Sequence, residues 1–118
     1  MEEVMHLEIR STNIHFGGSM RDYIVRRMES AMGQHARRIG LTTVHFADIN
    51  GPHGGNDKQC RIAARLRVGK TICVEDTDAD LIRAIDRAAD RVQHTLAQEM
   101  ERRRSRKRRP DSGKLTPD

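Results

Sequence analysis

The chain has no tryptophan, one tyrosine and two phenylalanines in 118 residues. With Phe16, Tyr23 and Phe46 as its aromatics, it lacks the row of stacking rings with which readers of single-stranded RNA hold bases. Its two cysteines, Cys60 and Cys73, are too few and wrongly spaced for a zinc ribbon, so both read as packing or surface residues. No apolar run approaches the roughly 18 residues of a membrane span. The Met-Glu-Glu start lacks the basic and apolar regions of a secretory leader, so a cytoplasmic location with reduced thiols is expected. The length suits one domain and leaves no room for a second.

Positive charge is abundant but unevenly placed. The formal net charge is +5, yet residues 1–101 sum to −1, and the run RRRSRKRR at 102–109 holds seven basic residues and no acidic one. Such a block repels itself and orders against an anion, which points to nucleic acid or an acidic surface. The expected organisation is a folded unit over 1–101 and a basic, disordered tail over 102–118.

Gly69-Lys70-Thr71 resembles the end of a phosphate-binding loop. That loop also needs a glycine five positions earlier, where the backbone curls around phosphate, and Ala64 stands there. Cys60, Ile62, Ala64, Leu66 and Val68 alternate with Arg61, Ala63, Arg65 and Arg67, the period of a half-buried strand. Gly69 is therefore expected in a hairpin turn.

Alternation also predicts strands at Val4–Arg10, Thr42–Ile49 and Thr71–Glu75. A helix is expected from a capping box at Ser19–Asp22 through Met20, Ile24, Met28, Ala31 and His35 toward Ile39, ended by Gly40. A second starts from a capping box at Thr77–Asp80 and carries Leu81, Ile85, Ala88, Ala89, Val92, Leu96 and Met100 as its apolar stripe. A three-residue turn at Gly69–Thr71 would set Val68 opposite Ile72 and Leu66 opposite Val74, with Cys60 and Cys73 on opposite faces. The predicted fold class is α+β, a two-layer β-α-β-β-β-α domain whose four-stranded sheet packs two helices on one face. The other face would carry Arg10, His45, Arg61, Arg65 and Arg67.

Two segments carry a family likeness. Ile9, Asn13, Ile14, Met20, Arg21, Tyr23 and Ile24 match a pattern of strand, short loop and first helical turn. Asp80-Leu81-Ile82-Arg83-Ala84-Ile85-Asp86, followed by Asp90, Arg91, Val92 and Leu96, is similar to Asp-Met-Tyr-x-Ala-Ile-Asp at the start of a last helix. Over about residues 5–105 the chain resembles the ribosome hibernation-promoting and ribosome-associated inhibitor family, also called ribosomal subunit interface proteins, in a short form without the C-terminal dimerisation domain. The resemblance implies a monomer that binds the small ribosomal subunit and its rRNA in the mRNA and tRNA channel and inhibits translation during hibernation. It implies no enzyme activity, cofactor, small-molecule substrate or membrane.

The candidate RNA contacts are Arg21, Arg26 and Arg27 on the first helix and Lys58, Arg61 and Arg65 on the third strand. Arg83, Arg87 and Arg91 form a four-residue repeat on the last helix, and Arg102, Arg103, Arg104, Arg106 and Lys107 lie in the basic block. Phosphate contacts and shape, with strong salt dependence, would dominate binding. The bland alternative for the Arg83, Arg87 and Arg91 stripe is a solvated face paired with Asp80, Asp86 and Asp90. Two rival functions remain open at this point: a generic double-stranded-RNA-type module, and a metal protein using His45, Asp48, His53, Asp57 and Cys60, whose spacing fits no metal signature.

Overall fold

A computed structural model of the chain describes residues 6–49 and 57–108. In chain order it contains β1 (Leu7–Thr12), α1 (Gly18–Met32), a 3-10 segment (Gly33–Arg38), β2 (Ile39–Asp48), β3 (Lys58–Leu66), β4 (Thr71–Asp78) and α2 (Leu81–Arg108). The sheet order is β1-β2-β3-β4. β1 runs parallel to β2, as a crossover through α1 requires, and the other two pairings are antiparallel. The expected two-layer α+β arrangement is what forms.

Alternation decides which way the sheet faces. Val44 and Phe46 of β2, Cys60, Ile62, Ala64 and Leu66 of β3, and Ile72 of β4 point into one buried cluster. Ile24, Met28, Ala31 and Met32 of α1 meet them, as do Ala84, Ile85, Ala88, Ala89, Val92 and Leu96 of α2. Phe16, from the β1–α1 connection, packs edge-on against Phe46 with ring centroids 5.1 Å apart. Three of the buried α2 residues are alanines, short enough to let that helix lie close to the sheet.

The hairpin keeps its predicted length but moves. Leu66 N–H donates to Lys70 O at 2.7 Å and Gly69 N–H to Leu66 O at 2.9 Å, so the three-residue loop is Arg67–Gly69. Gly69 has φ +104, the left-handed residue that ends such a loop. Ile62 thus faces Val74 and Ala64 faces Ile72. The pairing differs from the expected one by an even number of residues, so every side chain that stays in the strands keeps its face. Val68 alone leaves the apolar face, to lie 67% exposed at the loop tip. Cys60 is buried and Cys73 exposed, both as free thiols.

Helix boundaries moved further. The N-cap of α1 is Gly17 in extended conformation, with no side-chain cap, so Ser19 lies inside the first turn. α1 stops at Met32 and tightens into the 3-10 segment, because Ile39 is already paired with Leu66 in the sheet. Gly40, expected to end the helix, sits in β2 at a register shift between Ile39 and Leu41. At α2, Asp80 is the capping residue and its Oδ1 accepts from Ile82 N–H at 2.9 Å. Thr77 and Asp78, expected to open the helix, are held in β4 opposite Gln59 and Lys58. At the end of α1 and the start of α2 the sheet ladder overrides a local capping preference.

β1 extends to Thr12 rather than stopping at Arg10, while Val4 and Met5 lie outside the described residues. The stretch expected to be a disordered tail is helical as far as Arg108, and residues 109–118 lie outside the described residues. So does most of the predicted connection between β2 and β3; its bounding residues meet where Ile49 N–H donates to Asp57 O at 3.1 Å. Among the described residues, no helix is long and apolar enough to cross a membrane.

The 3-10 segment supplies a pH-dependent element. His35 Nε2 is buried with no hydrogen-bond partner among the described residues. Burial, then the nearby Arg38 charge, lowers the His35 pKa. The unfolded chain therefore takes up this proton before the folded one does. Stability is expected to fall as pH drops below about 6.5, the ordinary imidazole value, toward the lowered folded value. Denaturant melts between neutral and mildly acidic pH check this, and His35→Gln should flatten the slope.

Candidate nucleic-acid interface

Three sets of ion pairs fix the basic side chains before any ligand arrives. In the first, Tyr23 Oη donates to Asp86 Oδ1, Arg27 Nε donates to the same oxygen at 3.1 Å, and Arg27 Nη2 reaches Asp90 Oδ1 at 2.7 Å. The hydrogen bond to Asp86 raises the Tyr23 pKa. Burial works against the Arg27 charge, but its bonds to Asp90 and Asp86 outweigh that and raise its pKa. Arg27, a candidate RNA contact by sequence, clamps α1 to α2. Arg27→Gln is expected to cost about 1–2 kcal/mol of stability, read from urea melts.

The second set joins β4 to α2. Asp76 Oδ2 accepts from Arg91 Nε at 2.9 Å, and Arg87 lies 3.8 Å from Asp76 and 3.9 Å from Asp78. The hydrogen bond from Arg91 leads the lowering of the Asp76 pKa. The expected neutralising partners Asp86 and Asp90 thus serve Arg27, while β4 supplies those for Arg87 and Arg91. Both of these arginines keep well over half of their side chains exposed. The carboxylates are only 14–15% exposed, but the guanidinium groups stay open to solvent, where a phosphate can reach them.

The third set centres on Glu99, whose side chain is only 5% exposed. Lys70 Nζ lies 2.9 Å away, Arg103 Nε 2.9 Å and Arg102 Nη1 3.2 Å. The Lys70 hydrogen bond leads the lowering of the Glu99 pKa. Arg104 pairs with Glu101 at 3.0 Å. The start of the basic block is thereby tied to the β3–β4 hairpin.

On the open sheet face, Arg10, His45, Arg61 and Glu75 stand in one row across all four strands. Arg61 pairs with Glu75 and Arg10 with Glu8, both at 3.2 Å, and His45 Nε2 lies 2.9 Å from Thr12 Oγ1. Arg67, expected on this face, instead turns from the loop to donate to Arg37 O at 2.8 Å. Lys58 lies on the helix-facing side, 3.6 Å from Asp48.

Among the described residues, the candidates without an ion pair are Arg21, Arg26, Arg65, Arg83 and Arg106, all exposed. The last turn of α2 carries Lys107, whose side chain lies outside the described residues. Sequence reasoning reads Arg38 only as a complement to the helix dipole, whereas tertiary packing brings it within 3.8 Å of Met100 Sδ across 62 positions of chain. No local pattern could have revealed that approach.

His45 and Cys60 project from opposite sheet faces, and His53 lies outside the described residues. Among the described residues no group of three or more His, Cys, Asp or Glu side chains could hold a metal ion.

Residues 7–104 match the family described as Sigma 54 modulation protein / S30EA ribosomal protein. The N-terminal domain of Thermus thermophilus Protein Y shares the fold, with 24% identity and a TM-score of 0.67 over 80% of this chain and 98% of that one. A ribosomal subunit interface protein from Coxiella burnetii has 15% identity and a TM-score of 0.71 over 82% of this chain and 99% of that one. No curated protein matches the sequence at a significant level.

Proposed function

We propose, from the premise that the chain belongs to the Sigma 54 modulation protein / S30EA ribosomal protein family, that it binds the ribosome as a hibernation-type inhibitor of translation. The family match over residues 7–104 carries this reading. In it, a single copy occupies the mRNA and tRNA channel of the small subunit, and arginines contact rRNA phosphates. The charge distribution supports the contact mode. Exposed arginines without carboxylate partners among the described residues are ready for phosphate, while few aromatics are available for base stacking. Arg21, Arg26, Arg65, Arg83 and Arg106 are the first contacts in this reading. Arg87, Arg91, Arg61, Arg102, Arg103 and Arg104 contribute after exchanging a carboxylate for a phosphate.

Co-sedimentation with ribosomes and separated subunits across a salt series, with duplex RNA as competitor, tests the proposal. The expected result is retention on the small subunit and on whole ribosomes at physiological salt, undisturbed by duplex RNA. If each unpaired arginine releases about one counterion, log affinity falls against log salt with a slope between about −4 and −5. Equal distribution over all RNA, lost at moderate salt, would instead make the chain a generic basic RNA binder.

A further inference from the structure

We infer that the cleft between the 3-10 segment, the β3–β4 hairpin tip and the end of α2 is a nucleotide site, with phosphate on its arginines and the base over Val68 beside Met100. Arg38, Val68, Met100, Arg103, Arg104 and Arg106 line a space of about 540 Å³. That volume suits a mononucleotide, since small-ligand clefts run from roughly 300 to 1,000 Å³.

The lining combines two chemistries that one ligand class satisfies together. Arg103 and Arg104 already have carboxylate partners in Glu99 and Glu101. Arg38 and Arg106 have no ion pair among the described residues, which leaves two guanidinium forks for phosphate oxygens. Beside them Val68 is 67% exposed, carried at the loop tip by the positive φ of Gly69. Met100 closes the apolar side, with its sulfur 3.8 Å from Arg38 Nη1. An inorganic anion has no use for an apolar wall, and an acidic peptide would not need the phosphate-matched forks. A nucleotide uses both, laying the face of its base on Val68 beside the nearly buried Met100, 6% exposed, while its phosphates reach the arginines.

This inference concerns the free chain and does not rest on ribosome binding. A protein that fails to sediment with ribosomes can still pass its test, and one that sediments can fail it.

The test is calorimetric titration of the full chain with ATP, with inorganic tripolyphosphate and with a five-residue oligoadenylate. ATP is expected to bind at least fivefold more tightly than tripolyphosphate. Val68→Ser, at an exposed position, should remove that preference while leaving tripolyphosphate binding unchanged. Arg38→Gln combined with Arg106→Gln should weaken both ligands about tenfold. ATP bound in preference to the oligonucleotide identifies a free nucleotide as the occupant, and the reverse identifies a nucleotide within an RNA strand; either outcome supports the site. Equal affinity for ATP and tripolyphosphate, indifference to Val68→Ser, or no saturable binding overturns it.

Discussion

Replacing Phe46 by alanine is expected to destabilise the domain by about 3–5 kcal/mol, the range for deleting a fully buried aromatic side chain. Phe46 has no exposed surface and stands on β2 between Ser11 of β1 and Cys60 of β3. It also anchors Phe16, so its removal loosens the connection that delivers the chain from β1 to α1. Neighbouring strands cannot collapse into the space without breaking their ladder, so a cavity remains. Phe46→Leu keeps most of the volume and should cost about 1–2 kcal/mol. With total stabilities of roughly 5–15 kcal/mol, the alanine variant should be partly unfolded at modest urea, as followed by circular dichroism. A loss below about 1 kcal/mol would mean that this ring is not central to the core.

The second large effect concerns binding. Arg21, Arg26, Arg65 and Arg83 are exposed and unpaired among the described residues. Changing all four to glutamine removes no contact that holds the fold together, so melting should hardly move. If they are phosphate contacts, ribosome affinity should fall about 100- to 1,000-fold at physiological salt, and the salt slope should become shallower by about 3–4. The comparison with Arg27→Gln is informative because the clamp residue changes stability, whereas the free arginines change binding and spare stability. Unaltered sedimentation of the quadruple variant would exclude these side chains as the phosphate contacts.

The open and buried faces of the sheet were readable because alternation depends only on the two-residue period of a strand. An error in hairpin placement did no damage, since it was even. Helix starts were less readable. Ser19 and Thr77 both head plausible capping boxes, yet Gly17 and Asp80 occupy the starts. A capping hydrogen bond contributes about 1 kcal/mol, too little to withdraw Thr77 and Asp78 from a strand paired along its length. The arginine stripe on α2 was also visible, from its four-residue repeat. Which arginines were already neutralised was not, because Asp76 and Asp78 reach Arg87 and Arg91 from β4 rather than from the helix itself.

By itself, then, the sequence determined the element order, the buried faces and the separation of a basic C-terminal block from a nearly neutral remainder. All three follow from periodicity and composition, which act over a few residues. The tertiary structure alone decided that Arg27 is a clamp, that Glu99 gathers Lys70, Arg102 and Arg103, and that Arg38 meets Met100 beside Val68. Those outcomes depend on how closely distant segments approach, and electrostatic partners are chosen within a few ångströms, by packing that joins chain positions dozens of residues apart.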